Sequence, residues 1–374
     1  MGTLLLAGAG HAHMTVMAGL GDYIKAGHEV VVVGPSAHHY YSGMGPGMLG
    51  GTYEADDIRF AVKRMVEKRG GRFILDKVVS IDAPGRTVRL SSGRELAYDA
   101  ASFNVGSSVP SGLLADTAVP GNGVYTVKPI ENLMAARDRL RELLAGPGRA
   151  RVLVVGGGPG ALEVAGNACL LGRTAPRPPE VTVLAGKRFL SGVPDKARRL
   201  ARRSLERRGV VIDESGYAAS VVPGRVVLEG GREVFGDVIL VAVGIRPPTL
   251  FAESYLPVGP DGGLLVDQYL RSPMHPEIFG GGDCIYFAPT EGPLGLDKVG
   301  VYAVRQNPVL KHNLMAALEG REPMPFDSGG GYLLIYNLGD GSGVFWKGGL
   351  VFGGRLAFYI KDVIDRRFMR RFQR

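Results

Sequence analysis

Two glycine-rich segments have the residue types and the spacing of dinucleotide-binding turns. They are Gly8-Ala9-Gly10-His11-Ala12-His13 and Gly156-Gly157-Gly158-Pro159-Gly160-Ala161. Each follows a short apolar run, residues 4–7 and 151–155, and precedes a stretch that is typical of a helix. A strand that turns tightly into a helix presents unpaired N–H groups and the positive end of the helix dipole, while glycines let phosphates approach the backbone. The two segments together predict two nucleotide-binding units.

The residues expected at the phosphates belong to these two turns. They are Gly8, Gly10, His11 and Ala12 in the first turn, and Gly156, Gly158, Pro159 and Gly160 in the second. His11 and His13 could transfer protons, but their place in the turn favours packing and phosphate contact. FAD-dependent enzymes with two dinucleotide sites usually place the flavin at the N-terminus. We therefore expect FAD in the first unit and a nicotinamide dinucleotide, NADH or NADPH, in the second.

Neither unit has the acid that usually holds the adenosine ribose after the second strand. In the first unit Gly34-Pro35-Ser36 stands there, and Ser36 or backbone groups could replace the acid. In the second unit the strand 181–184 is followed by Ala185-Gly186-Lys187-Arg188. Two cations favour the 2′-phosphate of NADPH, with Lys187 as a contact, or they mean that the dinucleotide pocket has been lost. Both interpretations stay open.

Other segments are expected to complete the two sites. The loop 40–48 is too rich in glycine and proline to be a helix or a strand, and it could lie against a flat ring. Two apolar strands, 100–107 and 237–248, each end in a glycine before the cofactor. The residues assigned from these segments, and from the short strand 78–81, are Ser42, Met44, Val79, Asn104 and Gly106 for FAD, and Gly244 for the nicotinamide dinucleotide.

Length and composition exclude several classes of protein. The chain has 374 residues, enough for two domains and an appendage, and its 57 glycines show no repeat period. Cys169 and Cys284 are its two cysteines, which excludes a disulfide-dense secreted scaffold. The N-terminus has no basic region of a signal peptide, and no apolar run approaches the roughly 18 residues that span a bilayer. We expect a cytoplasmic protein without a metal site, with a possible attachment to the inner face of the membrane.

The order of these segments predicts an α/β fold with two Rossmann-like domains. The first unit begins with a strand at 3–7, a helix at 11–26 and a strand at 29–33. We expect a discontinuous FAD-binding domain, residues 1–120 and 255–320, with an inserted NAD(P)-binding-like domain, residues 121–254. Residues 321–374 form a small C-terminal α+β appendage.

The segment Ile278-Phe279-Gly280-Gly281-Gly282-Asp283-Cys284 resembles the glycine-aspartate motif of the pyridine nucleotide-disulfide oxidoreductase superfamily. Within it the chain looks most like the branch of type II NADH dehydrogenases and sulfide:quinone oxidoreductases. More narrowly, it resembles the flavoprotein module found fused to selenide, water dikinase. That resemblance is carried by the first glycine turn and by residues 41–44, 298–306 and 361–369.

The resemblance also implies roles for several residues. Asp283, after Gly282, would accept a hydrogen bond from a ribityl hydroxyl of FAD. Lys298 would stabilise negative charge at the N1/O2 edge of the reduced flavin, together with the N–H groups of Gly300 and Val301, although from spacing alone a solvated helix-start lysine is an equal alternative. Glu163 resembles a glutamate that reaches toward the nicotinamide and the flavin and relays a proton; otherwise it is an acid that complements its helix dipole.

The cysteines narrow the chemistry. A disulfide reductase needs a dithiol beside the flavin, and the chain has no CxxC or CxxxxC pair. Cys169 and Cys284 also lack the spacing of a sulfide-oxidising pair, and both are expected to be small core residues. Hydride transfer from NAD(P)H into FAD, followed by transfer to a quinone-like acceptor, is the simplest scheme. The alternatives are a flavin-binding partner module in selenium or sulfur metabolism and a sulfide or polysulfide oxidoreductase.

The C-terminal end is cationic and amphipathic. The last twenty residues contain seven basic residues against two acidic ones, within a chain of net charge +8. From about residue 355 an apolar stripe at helical spacing is predicted from Leu356, Ile360, Val363, Ile364, Phe368 and Phe372. Such a helix could lie on an anionic membrane, or pack on the body or on a second copy of the chain in a homodimer. No nucleic-acid-binding motif is present.

Overall fold

A computed structural model describes residues 1–114, 121–292 and 294–373. The predicted domain boundary at residue 120, and Arg374 of the basic tail, lie outside the described residues. The strands in the described ranges are β1 (Thr3–Ala7), β2 (Glu29–Gly34), β3 (His39–Tyr40), β4 (Arg59–Phe60), β5 (Arg72–Leu75), β6 (Val78–Asp82), β7 (Thr87–Leu90), β8 (Glu95–Ala97), β9 (Ala100–Phe103), β10 (Val124–Thr126), β11 (Arg151–Val155), β12 (Glu180–Leu184), β13 (Val211–Asp213), β14 (Ala218–Val222), β15 (Arg225–Leu228), β16 (Glu233–Phe235), β17 (Val238–Val241), β18 (Leu264–Val266), β19 (Ile278–Gly280), β20 (Ile285–Phe287), β21 (Leu334–Asn337), β22 (Gly343–Lys347) and β23 (Leu350–Gly354).

The helices are mostly short in the first unit and longer after it. Those in the described ranges are α1 (Met14–Ala18), α2 (Leu20–Lys25), α3 (Gly45–Leu49), α4 (Val62–Glu67), α5 (Glu131–Ala145), α6 (Pro159–Leu171), α7 (Asp195–Glu206), α8 (Leu250–Glu253), α9 (Gly300–Glu319) and α10 (Arg355–Phe372). Within the described chain, no helix combines the length and the apolar character needed to cross a bilayer.

Two five-stranded parallel sheets share a four-strand arrangement, β9-β1-β2-β5 and β17-β11-β12-β13, and differ in whether the fifth strand comes last or first along the chain. The first has the order β19-β9-β1-β2-β5, and the second has the order β10-β17-β11-β12-β13. Each unit also carries a three-stranded antiparallel sheet, β6-β7-β8 between β5 and β9 or β14-β15-β16 between β13 and β17. Strands covered on both faces read as continuous apolar runs, and Leu4, Leu5 and Leu6 of the central strand β1 are fully buried. The predicted α/β class with two Rossmann-like domains is confirmed.

The first unit is completed by residues far along the chain. Strand β19 pairs in parallel with β9, and α9 packs against α1 and the turn that follows β1. This pairing brings the segment after residue 255 to the first sheet, in keeping with a discontinuous domain, although the domain limits themselves stay a prediction. The helix predicted over 11–26 is broken: a 3-10 turn, His11–His13, leads to α1, and Gly19 separates α1 from α2.

The C-terminal helix has an unexpected orientation. Helix α10 packs on the antiparallel sheet β21-β22-β23 and contacts β4 of the first unit. The predicted apolar stripe is split, because Phe372 is buried while Leu356, Val363 and Ile364 are 62%, 46% and 46% exposed. Instead, the inner face buries a charged pair, Lys361 and Asp365. Spacing alone did not reveal which face would be covered.

Candidate functional site

A cavity of about 1110 Å³ is lined by residues of both units, including both glycine turns. Single-ligand sites usually have volumes of about 300–1,000 Å³. The cavity is therefore large enough for parts of two ligands, and its lining continues from one turn to the other. The carboxyl ends of the parallel strands open into it, as expected for a doubly wound sheet.

Each turn contains a glycine that no other residue could replace without movement. Gly8 and Gly156 have φ angles of +86° and +135°, in the region that favours glycine. A Cβ atom on Gly8 would lie 2.3 Å from the carbonyl oxygen of Asn104, and one on Gly156 would lie 2.3 Å from that of Ala242. Asn104 and Ala242 follow the strands that neighbour β1 and β11, namely β9 and β17. Each turn thus crosses the adjacent strand end in direct backbone contact.

The helix start behind the second turn and the start of α9 face open space. Gly158 is the N-cap of α6, with Pro159 at its first position, and a Cβ on Gly158 or Gly160 would meet no atom within 4 Å. Gly300, the first residue of α9, also lines the cavity with nothing within 4 Å. Unpaired N–H groups at helix starts attract anionic groups. The second turn and the start of α9 therefore offer donors to a bound ligand.

An ion pair connects three separate segments in the cavity wall. The Lys128 ammonium lies 2.5 Å from Asp283 Oδ2 and 3.1 Å from the Ser107 hydroxyl oxygen. The Ser107 hydroxyl donates to the same carboxylate oxygen at 3.0 Å. Asp283 was predicted, but Lys128 was not, because nothing in its local sequence shows that it reaches a residue 155 positions away. All three residues line the cavity.

The ammonium of Lys298 is already neutralised. It donates to the carbonyl oxygen of Ile285 and lies 2.7 Å from Asp261 Oδ2. Lys298 does line the cavity, two residues before the start of α9. Its charge is therefore balanced by Asp261, in the same way that Lys128 is balanced by Asp283.

The two histidines of the first turn have different surroundings. His13 is fully buried, with one ring nitrogen 2.7 Å from the carbonyl oxygen of Gly8 and the other 2.8 Å from the Ser102 hydroxyl. His11 lines the cavity, and its Nδ1 lies 3.2 Å from Nε2 of His39. Burial lowers the pKa of His11 to about 4, with a contribution from the Lys128 ammonium, and burial also lowers the pKa of His13 to about 4. Both rings are neutral near pH 7, which suits packing and hydrogen bonding better than cationic binding.

An acid that the sequence did not point to lies beside the end of β2. Asp76 follows β5, the neighbour of β2, and its N–H donates to the carbonyl oxygen of Gly34 at 3.0 Å. Asp76 lines the cavity together with Ser36. Hydrogen bonds from the hydroxyls of Ser91 and Ser92 lower the pKa of its carboxyl group, so it is ionised. The expected acid of the first unit therefore comes from the next strand of the sheet, which local sequence order hides.

Most of the predicted site residues do line the cavity. They are Gly8, Gly10, His11, Ser36, Ser42, Asn104, Gly106, Gly156, Gly158, Pro159, Gly160, Gly244, Gly282, Asp283, Lys298 and Gly300. Asn104 also fixes the first turn, since its Oδ1 accepts the N–H of Ala12 at 3.1 Å and its side-chain amide donates to the carbonyl oxygen of Gly281 at 2.6 Å.

Five further predicted residues lie outside the lining, for identifiable reasons. Ala12 and Met44 are buried in the core next to cavity residues. Val79 is 47% exposed and has no partner in the ladder, because the register shifts between Val78 and Ser80, and its neighbour Val78 is the one that lines the cavity. Val301 follows Gly300 on α9, and Lys187 is exposed next to the lining residue Gly186.

Glu163 also lies outside the cavity, in a polar cluster beneath α10. Its Oε1 accepts the N–H of Asn337 at 2.8 Å. Lys361 donates to Asp365 Oδ2 and to the carbonyl oxygen of Gly43, both at 2.7 Å, and the Tyr41 hydroxyl donates to Asp365 Oδ1 at 2.9 Å. Burial raises the pKa of Glu163 to about 6, against the opposing effect of the nearby Lys361 ammonium. The resemblance placed this glutamate toward the flavin, whereas its contacts are with the C-terminal appendage.

The cavity fits the FAD and nicotinamide dinucleotide that the sequence predicts. Its glycines at the helix starts, Gly158, Gly160 and Gly300, leave open the space that side chains would fill, and the first unit has a carboxylate at each end, in Asp76 and Asp283. His11 Nε2 is buried and has no hydrogen-bond partner among the described residues. A polar atom of a bound phosphate or flavin would satisfy that nitrogen.

Replacement of Glu163 by glutamine should change how stability depends on pH. The pKa of Glu163 is raised from 4.5 to about 6, so the folded protein binds a proton more tightly than the unfolded chain between these values. Wild-type stability should therefore fall as the pH rises from about 4.5 to about 6, and Glu163→Gln should not share that loss. Urea unfolding across this interval should show the variant gaining about 1–2 kcal/mol relative to wild type. A constant difference, as expected for the exposed control Glu229→Gln, would contradict the assignment.

Comparison with known proteins agrees with this architecture. A family model described as pyridine nucleotide-disulphide oxidoreductase matches residues 3–309. A probable ferredoxin reductase, CtmF, from Castellaniella defragrans is 31% identical over 294 residues, which cover 75% of this chain and 67% of that protein. A type II NADH:quinone oxidoreductase from Staphylococcus epidermidis is 25% identical over 407 residues, covering 97% of this chain and 94% of that protein.

A solved structure extends the likeness to the whole fold. The sulfide:quinone oxidoreductase of Aquifex aeolicus has a TM-score of 0.78 at 17% identity, and the match covers 100% of this chain and 92% of that chain. The predicted resemblance to the superfamily and to its quinone-reducing branch is confirmed, while the resemblance to the module fused to selenide, water dikinase stays a prediction. The chain belongs to the pyridine nucleotide-disulphide oxidoreductase family, as an FAD-dependent oxidoreductase whose second nucleotide is a nicotinamide dinucleotide.

Proposed function

We propose that this protein oxidises NAD(P)H through FAD and passes the electrons to a quinone-like acceptor. The observation that carries this proposal is the continuous cavity lined by both glycine turns, in which two dinucleotides would meet end to end. The near full-length similarity to a type II NADH:quinone oxidoreductase supports the choice of acceptor. When bound, FAD supplies the step that accepts a hydride and releases electrons to the second substrate.

The cysteines do not support a disulfide or sulfide reaction. Cys284 is fully buried, with its Sγ 3.4 Å from the carbonyl oxygens of Phe103 and Gly281, and burial raises the pKa of its thiol to about 11. Burial also raises the pKa of Cys169, which lies on α6. Neither is among the residues that line the cavity. A protonated, enclosed thiol is a poor nucleophile and a poor carrier of sulfur.

Several residues would hold FAD and the nicotinamide nucleotide in this proposal. The first turn and Asp76 would bind the adenosine and phosphate end of FAD, and Asp283 would accept from its ribityl chain. The N–H groups at the start of α9, with Lys298 nearby, would stabilise negative charge on the reduced flavin. The second turn would bind the nicotinamide dinucleotide. Glu163, which lies beneath the appendage and outside the cavity lining, would take up and release a proton without touching the nucleotide.

Helix α10 is the proposed contact with a membrane surface. Its outer face exposes Leu356, Tyr359 and Val363, at 62%, 65% and 46%, one or two turns apart. Exposed arginines at the end of the same helix, Arg367, Arg370 and Arg371, would meet anionic headgroups. An apolar face bordered by cations would hold the protein at the interface, close to a lipid-soluble quinone.

Lys128 should be needed for tight binding of FAD. Lys128→Met leaves Asp283 without its counter-charge and removes one of the contacts between the two units, so the dissociation constant of FAD should rise about tenfold or more. Lys128→Arg, which keeps the charge, should bind nearly as tightly as wild type, and so should the exposed control Lys68→Met. Fluorescence titration of the apoprotein with FAD measures this. Wild-type affinity in Lys128→Met would show that the ion pair does not organise the flavin site.

The electron-transfer scheme can be followed by the colour of the flavin. Anaerobic mixing with NADPH or NADH should bleach the bound FAD, and a short-chain quinone should restore its absorbance. A variant with both Cys169 and Cys284 replaced by serine should turn over at the wild-type rate, because neither thiol carries electrons or sulfur. A flavin that no nicotinamide nucleotide bleaches would overturn the proposal in favour of a flavin-binding partner module. Loss of turnover in a folded, FAD-loaded double variant would instead favour sulfur chemistry.

Binding to anionic vesicles should depend on the outer face of α10. The protein should sediment with vesicles that contain phosphatidylglycerol, and Leu356→Gln, Tyr359→Gln and Val363→Gln together should abolish this binding. A matched triple variant, with the exposed residues Val211, Tyr255 and Met274 changed to glutamine, should bind like wild type. If wild type ignores vesicles and forms a dimer that only the α10 variant dissociates, the face is a homodimer contact instead.

A further inference from the structure

The two units can be compared with each other at the adenosine end of each site. In both units the strand that follows the first helix, β2 or β12, ends without a carboxylate, at Gly34 and Leu184. In both, the neighbouring strand is hydrogen-bonded to this strand end, through Asp76 N–H to Gly34 in the first unit and through Ala185 N–H to the Asp213 carbonyl in the second. Val33 and Leu184 are equivalent positions, because each accepts the N–H of the first glycine of its turn. Val33 pairs with Ile74 and Leu184 pairs with Asp213, so the counterpart of Asp76 in the second unit is Ser215.

The carboxylates near these two strand ends differ in whether they reach the cavity. In the first unit Asp76 lines the cavity, and although its Oδ1 accepts the Lys77 N–H at 2.7 Å and the Ser91 hydroxyl, the carboxylate can still accept a ribose hydroxyl of an adenosine. In the second unit Asp213 is paired with Arg232 and accepts the Ser215 N–H at 2.9 Å, outside the cavity lining.

The next acid along the chain, Glu214, is also occupied. It accepts the Phe189 N–H at 2.7 Å and pairs with Arg202 at 2.6 Å. Burial acts to raise the pKa of Glu214, but these two contacts together lower it, so the carboxylate is ionised and fully engaged. Neither Asp213 nor Glu214 lines the cavity, so neither meets a ribose hydroxyl there.

Cations stand where the second unit lacks an acid. Lys187 and Arg188 are exposed directly after Gly186, which lines the cavity. Lys187 forms no ion pair with any described residue, and its Nζ lies 5.9 Å from the centroid of the Tyr217 ring, another part of the cavity wall. The Arg188 guanidinium has one carboxylate nearby, Asp195 at 3.7 Å, and both side chains are more than half exposed.

The turn that carries these cations has a defined position. Gly186 has a φ angle of +72°, and a Cβ on it would lie 2.4 Å from the Tyr217 ring. The turn therefore packs directly against Tyr217, and Glu214 holds its far side through Phe189. Among the described residues from 155 to 250 that line the cavity, none is acidic.

We infer that Lys187 and Arg188, beside Tyr217, form a binding site for the 2′-phosphate of NADPH, and that the protein prefers NADPH to NADH. This inference rests on the proposed use of the second turn by a nicotinamide dinucleotide. The 2′-hydroxyl of NADH finds no carboxylate at this end of the cavity, whereas a 2′-phosphate finds two cations that can form charge-assisted hydrogen bonds.

Equilibrium binding and flavin reduction test the inference on the FAD-loaded protein. Calorimetric titration with NADP⁺ and NAD⁺ should show NADP⁺ bound about tenfold more tightly or better, and stopped-flow bleaching should show the same order for NADPH and NADH. The double variant Lys187→Ala, Arg188→Ala should lose that preference by weakening NADP⁺ alone. The control variant Lys196→Ala, Arg199→Ala also removes one lysine and one arginine, but from the exposed face of α7. It should keep the preference for NADP⁺.

The outcomes separate this inference from the proposed function. Equal affinity for the two nucleotides, or tighter binding of NAD⁺, would overturn the 2′-phosphate site while leaving an NAD(P)H oxidoreductase intact. A preference for NADP⁺ that survives in the Lys187 and Arg188 variant would also overturn it. Failure of both nucleotides to bind and to bleach the flavin would refute the proposed function together with the inference.

Discussion

The backbone crossing at each glycine turn is the constraint on which the rest of the site depends. Gly8 and Gly156 each lie against a carbonyl oxygen at the end of the adjacent strand, at a distance that leaves no room for a Cβ. This contact fixes where the chain leaves the sheet and how the following helical turn is aimed. Because the constraint is used once in each unit, both turns open into one cavity. A bound dinucleotide meets backbone N–H groups there instead of side chains that would have to move.

Charge pairs between distant segments then hold the walls of that cavity. Lys128 lies just after β10 of the second unit, and Asp283 lies just after β19, the strand that completes the first sheet. Their contact joins the two units beside the place where the reactive rings would meet, and Ser107 fixes the carboxylate from a third direction. A partly buried pair of this kind is costly to break from one side, because the remaining charge loses its partner. The two units are therefore tied together by the same carboxylate that the flavin chain would use.

Local sequence was sufficient for features that depend on local geometry. Some features can be recognised from a few adjacent residues: the glycine turns after apolar strands, the glycine-aspartate segment and the absence of paired cysteines. These features predicted the fold class and most of the cavity lining. Asp76 was missed because β5 becomes the neighbour of β2 only in the folded sheet, and Lys128 was missed because it meets Asp283 across the two units, after strands of different sheets. Glu163 was expected toward the flavin because of the family resemblance, but the appendage folds back over α6, and the Glu163 carboxylate accepts the N–H of Asn337 there. No spacing rule reports such a contact between residues more than 170 positions apart.

Helix α10 illustrates why amphipathic pattern alone does not identify the covered face. Apolar residues normally face the core, yet here Lys361 and Asp365 point inward, and their polar atoms are satisfied by Gly43 and Tyr41. These hydrogen bonds form only when α10 is docked in one position on the loop that contains Tyr41 and Gly43. A shift of the helix by one residue would leave buried charges unpaired. The inward polar contacts therefore specify how the appendage docks, and they leave apolar side chains such as Leu356 on the outside. Leu356 and its apolar neighbours are thus exposed on the face opposite the charged docking surface, and this is the face that the proposed membrane contact would use.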